Sequence, residues 1–249
     1  MLQSGCNETY SLLTHAWLHR PRTGGGCGCD YHPPCGGLVY ESQPIMKLHP
    51  LLHSKSLVSD QVSSQEVSII LNSLEQVILR GVRGAVVEFG CYVGTTSLFI
   101  RRLLDAHGIE GAFHVYDSFE GLPEKTKADM SVAGDQFLPG ELRATKKALL
   151  THFYKAGLKP PVVHKGWFKQ LTTQDVPDQI MFAFLDGDYY DSIRDSLSCI
   201  THKLLPGAVI VVDDYANEAL PGARRAVNEW MHGRSGNIRV EASLAIIQT

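Results

Sequence analysis

Two short apolar runs that end in carboxylates constrain this 249-residue chain more than any other feature. The first is Phe184-Leu185-Asp186-Gly187-Asp188-Tyr189-Tyr190-Asp191-Ser192 and the second is Ile210-Val211-Val212-Asp213-Asp214. A β-branched and aromatic run bounded by a Gly or Asp cluster is the pattern of a parallel strand covered on both faces. Open α/β sheets bind ligands beyond the carboxyl ends of their strands. Asp186, Asp188, Asp213 and Asp214 are therefore expected to converge on one site about one strand spacing, ~4.8 Å, wide. Helix capping is the competing reading, since Asp is a favoured cap.

Composition narrows the class. Hydrophobic residues at 44% and charged residues at 20% fit a globular domain, and the length suits one α/β domain with an appendage. A formal charge of -3 gives no basic footprint for nucleic acid or an anionic membrane. No run approaches the ~20 apolar residues of a spanning helix. Met1 to Arg20 is interrupted by Asn7, Glu8, His15 and His19, so no apolar leader core is present and a cytoplasmic protein is expected. Of the six cysteines, Cys91 and Cys199 fall in expected core elements, and no disulfide framework is legible.

Residues 1–54 read as a flexible extension biased to Gly, Pro and Cys. Cys27, Cys29, His32 and Cys35 are soft ligands whose spacing fits no standard zinc knuckle. From Ser63 the pattern sharpens. Ser63 and Glu66 have capping-box spacing, and Val67, Ile70, Leu71, Leu74, Val77 and Ile78 recur at helical period up to Gly81. Strands are expected at 85–89, 112–116, 161–164, 180–185 and 208–212, with a terminal pair around 237–248. Helices are expected after Gly94 and at 141–156, 190–203 and 221–232. This alternation predicts a doubly wound, Rossmann-like, seven-stranded and mostly parallel sheet with an antiparallel terminal strand. Residues 119–140 are too long for an ordinary connection and predict a lid over about 124–140.

The first strand–turn–helix unit narrows the cofactor. A dinucleotide fingerprint needs glycine at its first, third and sixth positions, but here Gly90 is followed by Cys91, Tyr92 and Val93 before Gly94. Glu88, two residues before Gly90, disfavours a pyrophosphate and suits a cofactor with a positive amino-acid group. S-adenosylmethionine carries that group. Asp117, ending the second strand, is placed to accept from ribose hydroxyls. The bland alternatives are a solvent-facing strand-end charge at Glu88 and a turn cap at Asp117.

The blocks Glu88-Phe89-Gly90-Cys91-Tyr92-Val93-Gly94, Asp117-Ser118-Phe119-Glu120-Gly121-Leu122-Pro123, Asp186-Gly187-Asp188-Tyr189-Tyr190-Asp191-Ser192 and Val212-Asp213-Asp214-Tyr215 resemble the macrocin O-methyltransferase family. The likeness covers about 55–249, which would be the methyltransferase domain. It implies a class I S-adenosylmethionine fold, Mg²⁺ or another divalent cation, and methylation of a hydroxyl on a small metabolite such as a glycosylated natural product. It makes Asp186, Asp213 and Asp214 the metal carboxylates and Asp188, or Asp186, the catalytic base. Hard cations take such oxygen ligands, and a hydroxyl beside one loses its proton more easily. Cofactor contacts are expected from Glu88, Gly90, Tyr92, Gly94, Thr95, Ser97, Asp117, Ser118 and Asp186. Gly166, Trp167 and Phe168 match a block near the adenine, although Lys169-Gln170-Leu171-Thr172 departs from the family's acid-Thr-aliphatic-Pro continuation. His164 is expected to be structural or cofactor-side, and Asp191 to cap the helix it begins. Lid residues Gly134, Asp135 and Gly140 suggest closure over the acceptor.

An enzyme is thus expected, with a small-molecule hydroxyl acceptor, no nucleic acid or membrane partner, and a homo-oligomer left open. A catechol-type O-methyltransferase and a noncatalytic S-adenosylmethionine-binding protein are the alternatives.

Overall fold

A computed structural model describes Leu51, residues 55–133 and residues 137–249. The extension up to residue 50, with its Cys and His residues, and the pair Gly134-Asp135 lie outside the described residues.

The first helix, α1 (Ser64–Leu79), begins at the expected capping box. Ser63 N donates to Glu66 Oε2 at 2.9 Å and Glu66 N donates to Ser63 Oγ at 3.2 Å. The helix stops before Gly81, whose φ of +80° is the left-handed backbone that glycine tolerates at a helix end. Its stripe from Val67 to Ile78 is buried against the sheet.

Seven strands follow: β1 (Ala85–Phe89), β2 (Phe113–Asp117), β3 (Val162–Lys165), β4 (Ile180–Leu185), β5 (Leu204–Val212), β6 (Asn237–Glu241) and β7 (Leu244–Gln248). Their spatial order is β3-β2-β1-β4-β5-β7-β6. The first five are mutually parallel, and β7 runs antiparallel between β5 and β6. Helices α2 (Thr95–Ala106), α3 (Lys146–Lys155), α4 (Tyr190–Ile200) and α5 (Pro221–Met231) complete the layers. Alternate strand residues feed opposite cores. Val209 and Val211 pack with α1 and α2, whereas Ile210 and Val212 pack with α4 and α5. Both faces of the sheet are covered, which is why the central strands read as unbroken apolar runs.

Some boundaries differ from expectation. Helix α3 starts at Lys146 rather than 141, because Thr145 Oγ1 caps it by accepting Ala148 N–H at 3.0 Å. Residues just before it are held elsewhere, since Leu122 N donates to Glu141 O and Gly140 N to Leu122 O. Strand β5 starts at Leu204 rather than 208, and its register against β4 slips between Ile180 and Phe182. Asp191 does not cap α4. It lies inside the first turn and pairs with Arg194 Nη1 at 2.7 Å, while the Tyr190 N–H donates to Asp129 Oδ1 at 2.6 Å. No helix among the described residues is long and apolar enough to cross a membrane.

Candidate active site

The strand order reverses between β1 and β4, so the loops after these two strands diverge and leave a crevice. A cavity of about 890 Å³ occupies it. Its wall includes Gly90, Tyr92, Asp117, Ser118, Trp167, Phe168, Asp186, Asp188, Asp213 and Asp214. Of the expected cofactor residues, Glu88, Gly94, Thr95, Ser97 and Gly166 are not on that wall.

Gly90 is a requirement of packing. Its φ is +85°, and a Cβ there would stand 1.8 Å from the Asp186 carbonyl oxygen. The turn it opens is pinned by Asp117, whose Oδ2 accepts Cys91 N–H at 2.9 Å and Tyr92 N–H at 3.1 Å. Asp117 Oδ1 accepts Phe119 N–H at 2.7 Å. Three of a carboxylate's roughly four acceptor sites are thus taken by backbone, leaving about one for a ligand.

Glu88 is wholly buried beneath the turn. Ser97 Oγ donates to its Oε2 at 2.5 Å, and Oε1 has no hydrogen-bond partner among the described residues. Burial, with the Asp117 charge adding to it, pushes the carboxyl up to about 8. The solvent-facing reading of Glu88 is therefore wrong. Thr95, also buried, shares a hydrogen bond with Ser59 at 2.8 Å.

At the other wall three carboxylates meet. One oxygen each of Asp186, Asp188 and Asp214 lies within 4.8 Å of the other two. Asp188 and Asp214 reach this arrangement through left-handed backbone, at φ +57° and +58°, a conformation Asp tolerates better than most residues. Such strain recurs where function over-determines geometry. Burial first, then the neighbouring carboxylates, raises the proton affinity of Asp186 and Asp188 well above the ordinary range. Asp213 does not join the trio. Its Oδ1 accepts Asp214 N–H at 2.8 Å, and the Ser243 hydroxyl lies 3.1 Å away. Burial, with Asp214 adding to it, lifts Asp213 to about 7.

Trp167 and Phe168 form an aromatic side of the cavity, and Gln170 Oε1 accepts Trp167 N–H at 3.2 Å. The departure from the family block thus keeps a local capping role. His164 is structural in placement: its Nε2 lies 3.0 Å from His114 Nδ1, and its ring stacks on Tyr116 at 4.4 Å. Gly166 holds β2 and β3 together by donating to Asp117 O at 3.0 Å.

Several residues of the site were given no role there by the sequence. Asp129 is 1% exposed, and its Oδ2 accepts Thr126 N–H and Oγ–H while Oδ1 reaches α4. Tyr189 OH donates to Phe137 O, and Leu122, Tyr189 and Leu220 form a small core against which Phe137 and Leu142 pack. Asp60, Gln61, Glu66, Asn217 and Ser243 also line the cavity. The Thr126-to-Asp129 spacing, which suits a local side-chain turn, was the one available hint.

The residues fit both implied ligands. Three hard oxygen donors at mutual reach suit a divalent cation. A cavity at the topological switch, flanked by the glycine turn, Asp117 and an aromatic pair, suits an adenosine-bearing cofactor.

Comparison with known proteins agrees with this architecture. The macrocin O-methyltransferase (TylF) family model matches residues 57–243. Over 213 residues the chain is 32% identical to an 8-demethyl-8-(2,3-dimethoxy-α-L-rhamnosyl)-tetracenomycin-C 4′-O-methyltransferase of Streptomyces olivaceus, covering 82% of this chain and 79% of the relative. It is 27% identical to the mycinamicin III 3″-O-methyltransferase of Micromonospora griseorubida, over 71% of this chain and 72% of that one. Among solved structures, the O-methyltransferase NovP superposes with a TM-score of 0.66 at 24% identity, covering 75% of this chain and 80% of the other, a likeness of fold. Matched by the family model from α1 through β6, this chain belongs to the macrocin O-methyltransferase family of class I S-adenosylmethionine-dependent O-methyltransferases.

Proposed function

We propose that the protein methylates a sugar hydroxyl of a glycosylated natural product in a divalent-metal-dependent reaction. The observation that carries the metal reading is the convergence of Asp186, Asp188 and Asp214 within 4.8 Å on the cavity wall. S-adenosylmethionine supplies the methyl group, and a divalent cation supplies positive charge that lowers the pKa of a hydroxyl beside it. Two carboxylates balance a divalent charge. Asp186 and Asp214 take that role, with Asp213 supporting Asp214 from behind, and Asp188 is left to act as base. Asp188 receives the hydroxyl proton as the acceptor oxygen bonds to the methyl carbon and the carbon–sulfur bond breaks. The products are the methyl ether and S-adenosylhomocysteine. Alignment of the acceptor oxygen with the methyl group, imposed by the cavity wall, supplies much of the rate.

The names of the two curated relatives support a sugar acceptor, one specifying the 4′-oxygen of a rhamnosyl-tetracenomycin and the other the 3″-oxygen of mycinamicin III. Charge supports a glycoside over a nucleotide-activated sugar. Ten Asp or Glu residues line the cavity against two cations, Lys125 and Lys169. A wall of that sign raises the local concentration of neutral or cationic molecules relative to a diphosphate.

Methyl transfer should be assayed with a panel of neutral deoxysugar glycosides, nucleotide-activated deoxysugars and catechols, with and without EDTA. Turnover of a glycoside that EDTA abolishes and Mg²⁺ restores is the expected result. Turnover indifferent to EDTA would overturn the metal assignment, preference for catechols would move the acceptor class, and cofactor binding with no turnover of any panel member would favour a noncatalytic binder.

A further inference from the structure

The cavity wall joins two carboxyl-bearing elements through one hydroxyl. Ser243, in the turn between β6 and β7, places Oγ 2.7 Å from Glu66 Oε1 and 3.1 Å from Asp213 Oδ1. A serine hydroxyl has one proton, which here is shared between the two carboxylate oxygens as a three-centre bond. Glu66 is a firm anchor, because its other oxygen already accepts Ser63 N–H at 2.9 Å and Ser63 Oγ–H at 2.8 Å in the capping box of α1. On the far side, Asp213 Oδ1 accepts the Asp214 N–H. The backbone of Ser243 makes a second attachment, its carbonyl accepting Ala216 N–H at 2.9 Å. The turn that carries Asp214 is therefore gripped at Asp213 by the Ser243 side chain and at Ala216 by its backbone. That turn needs support, since Asp214 sits at φ +58° and the like charges of the trio oppose its approach.

We propose that Ser243, backed by Glu66, is a positioning residue that holds Asp213 and Asp214 in the geometry the divalent cation requires, an inference that rests on the metal reading of the trio. It gives α1 a second role. The same Glu66 carboxylate that starts the helix also orients the ligand-bearing turn through Ser243, and partners of metal ligands commonly affect affinity in this way.

Two measurements on the full-length protein test it. Mn²⁺ binding followed by electron paramagnetic resonance should weaken by about tenfold or more in Ser243→Ala and return to within about threefold of the parent in Ser243→Thr, which keeps the hydroxyl. In the metal-free protein, amide exchange at Asp214 and Ala216 should quicken in Ser243→Ala, with the amides of β1 and β4 and the calorimetric Kd for S-adenosylmethionine unchanged. Unchanged Mn²⁺ affinity in Ser243→Ala, or equal loss in Ser243→Thr, would overturn the proposal while leaving the metal reading intact. A parent that binds no Mn²⁺ would overturn the metal reading and the proposal with it.

Discussion

Replacing Glu88 by Gln should make the metal-free protein more stable at neutral pH and almost unchanged in acid. Glu88 is fully buried, and burial raises its carboxyl from the ordinary 4.5 to about 8. An acid whose folded value lies above its unfolded one binds more protons when folded, so its presence costs stability as pH rises from about 4.5 to about 8 and the cost is constant above that. With those two values, keeping Glu88 in place costs about 4 kcal/mol at pH 7.5 and about 1 kcal/mol at pH 5, a difference of about 3 kcal/mol. The amide keeps an acceptor for the Ser97 hydroxyl, which donates at 2.5 Å, and presents N–H where the protonated acid presents O–H at the unpartnered Oε1 position. Packing is conserved and the ionisation is removed. Urea denaturation of both proteins in EDTA at pH 5 and pH 7.5, with linear extrapolation, measures the four free energies. The carboxylates around the cavity titrate in both proteins, so the difference between the two pH dependences reports Glu88 together with the smaller relief that loss of its charge gives Asp186. If the two proteins change in parallel between these pH values, to within about 1 kcal/mol, the buried high-pKa assignment is wrong.

Gly90→Ala should destabilise the fold by about 2–5 kcal/mol, from left-handed strain at φ +85° plus the 1.8 Å clash with the Asp186 carbonyl, and denaturation midpoints together with cofactor calorimetry will report it. Asp129→Ala removes the acceptor of the Tyr190 N–H and the Thr126 contacts. It should cost about 1–3 kcal/mol and, read by steady-state kinetics and limited proteolysis of the segment 119–142, raise the acceptor KM more than the cofactor KM. Asp188→Asn should raise the thermal midpoint of the metal-free protein at pH 7.5, because a buried carboxylate facing Asp214 and Asp213 is neutralised, while single-turnover methyl transfer falls by about 100-fold or more.

Local sequence determined most of the scaffold. The capping box at Ser63, the 3.6-residue stripe of α1 and the runs at 85–89 and 180–185 each identify their element, because periodicity and capping act within a few residues. The order of acids along the chain also placed Asp186, Asp188, Asp213 and Asp214 at one edge of the sheet, since parallel strands present their carboxyl ends together. Which of these acids face one another was decided only by the tertiary structure. Asp186 and Asp188 lie beyond the end of β4, where strand alternation no longer aims side chains, and a left-handed residue turns Asp188 toward Asp214. Asp213 and Asp214 are neighbours with similar local chemistry, yet Ser243, 30 residues on and itself bonded to Glu66 177 residues away, engages Asp213 and leaves Asp214 to the trio. Glu88 shows the same division. Its position at a strand end was plain in the sequence, but its burial under Ser97 and the turn depended on how α2 packs on β1, and that packing sets the free energy of its charge.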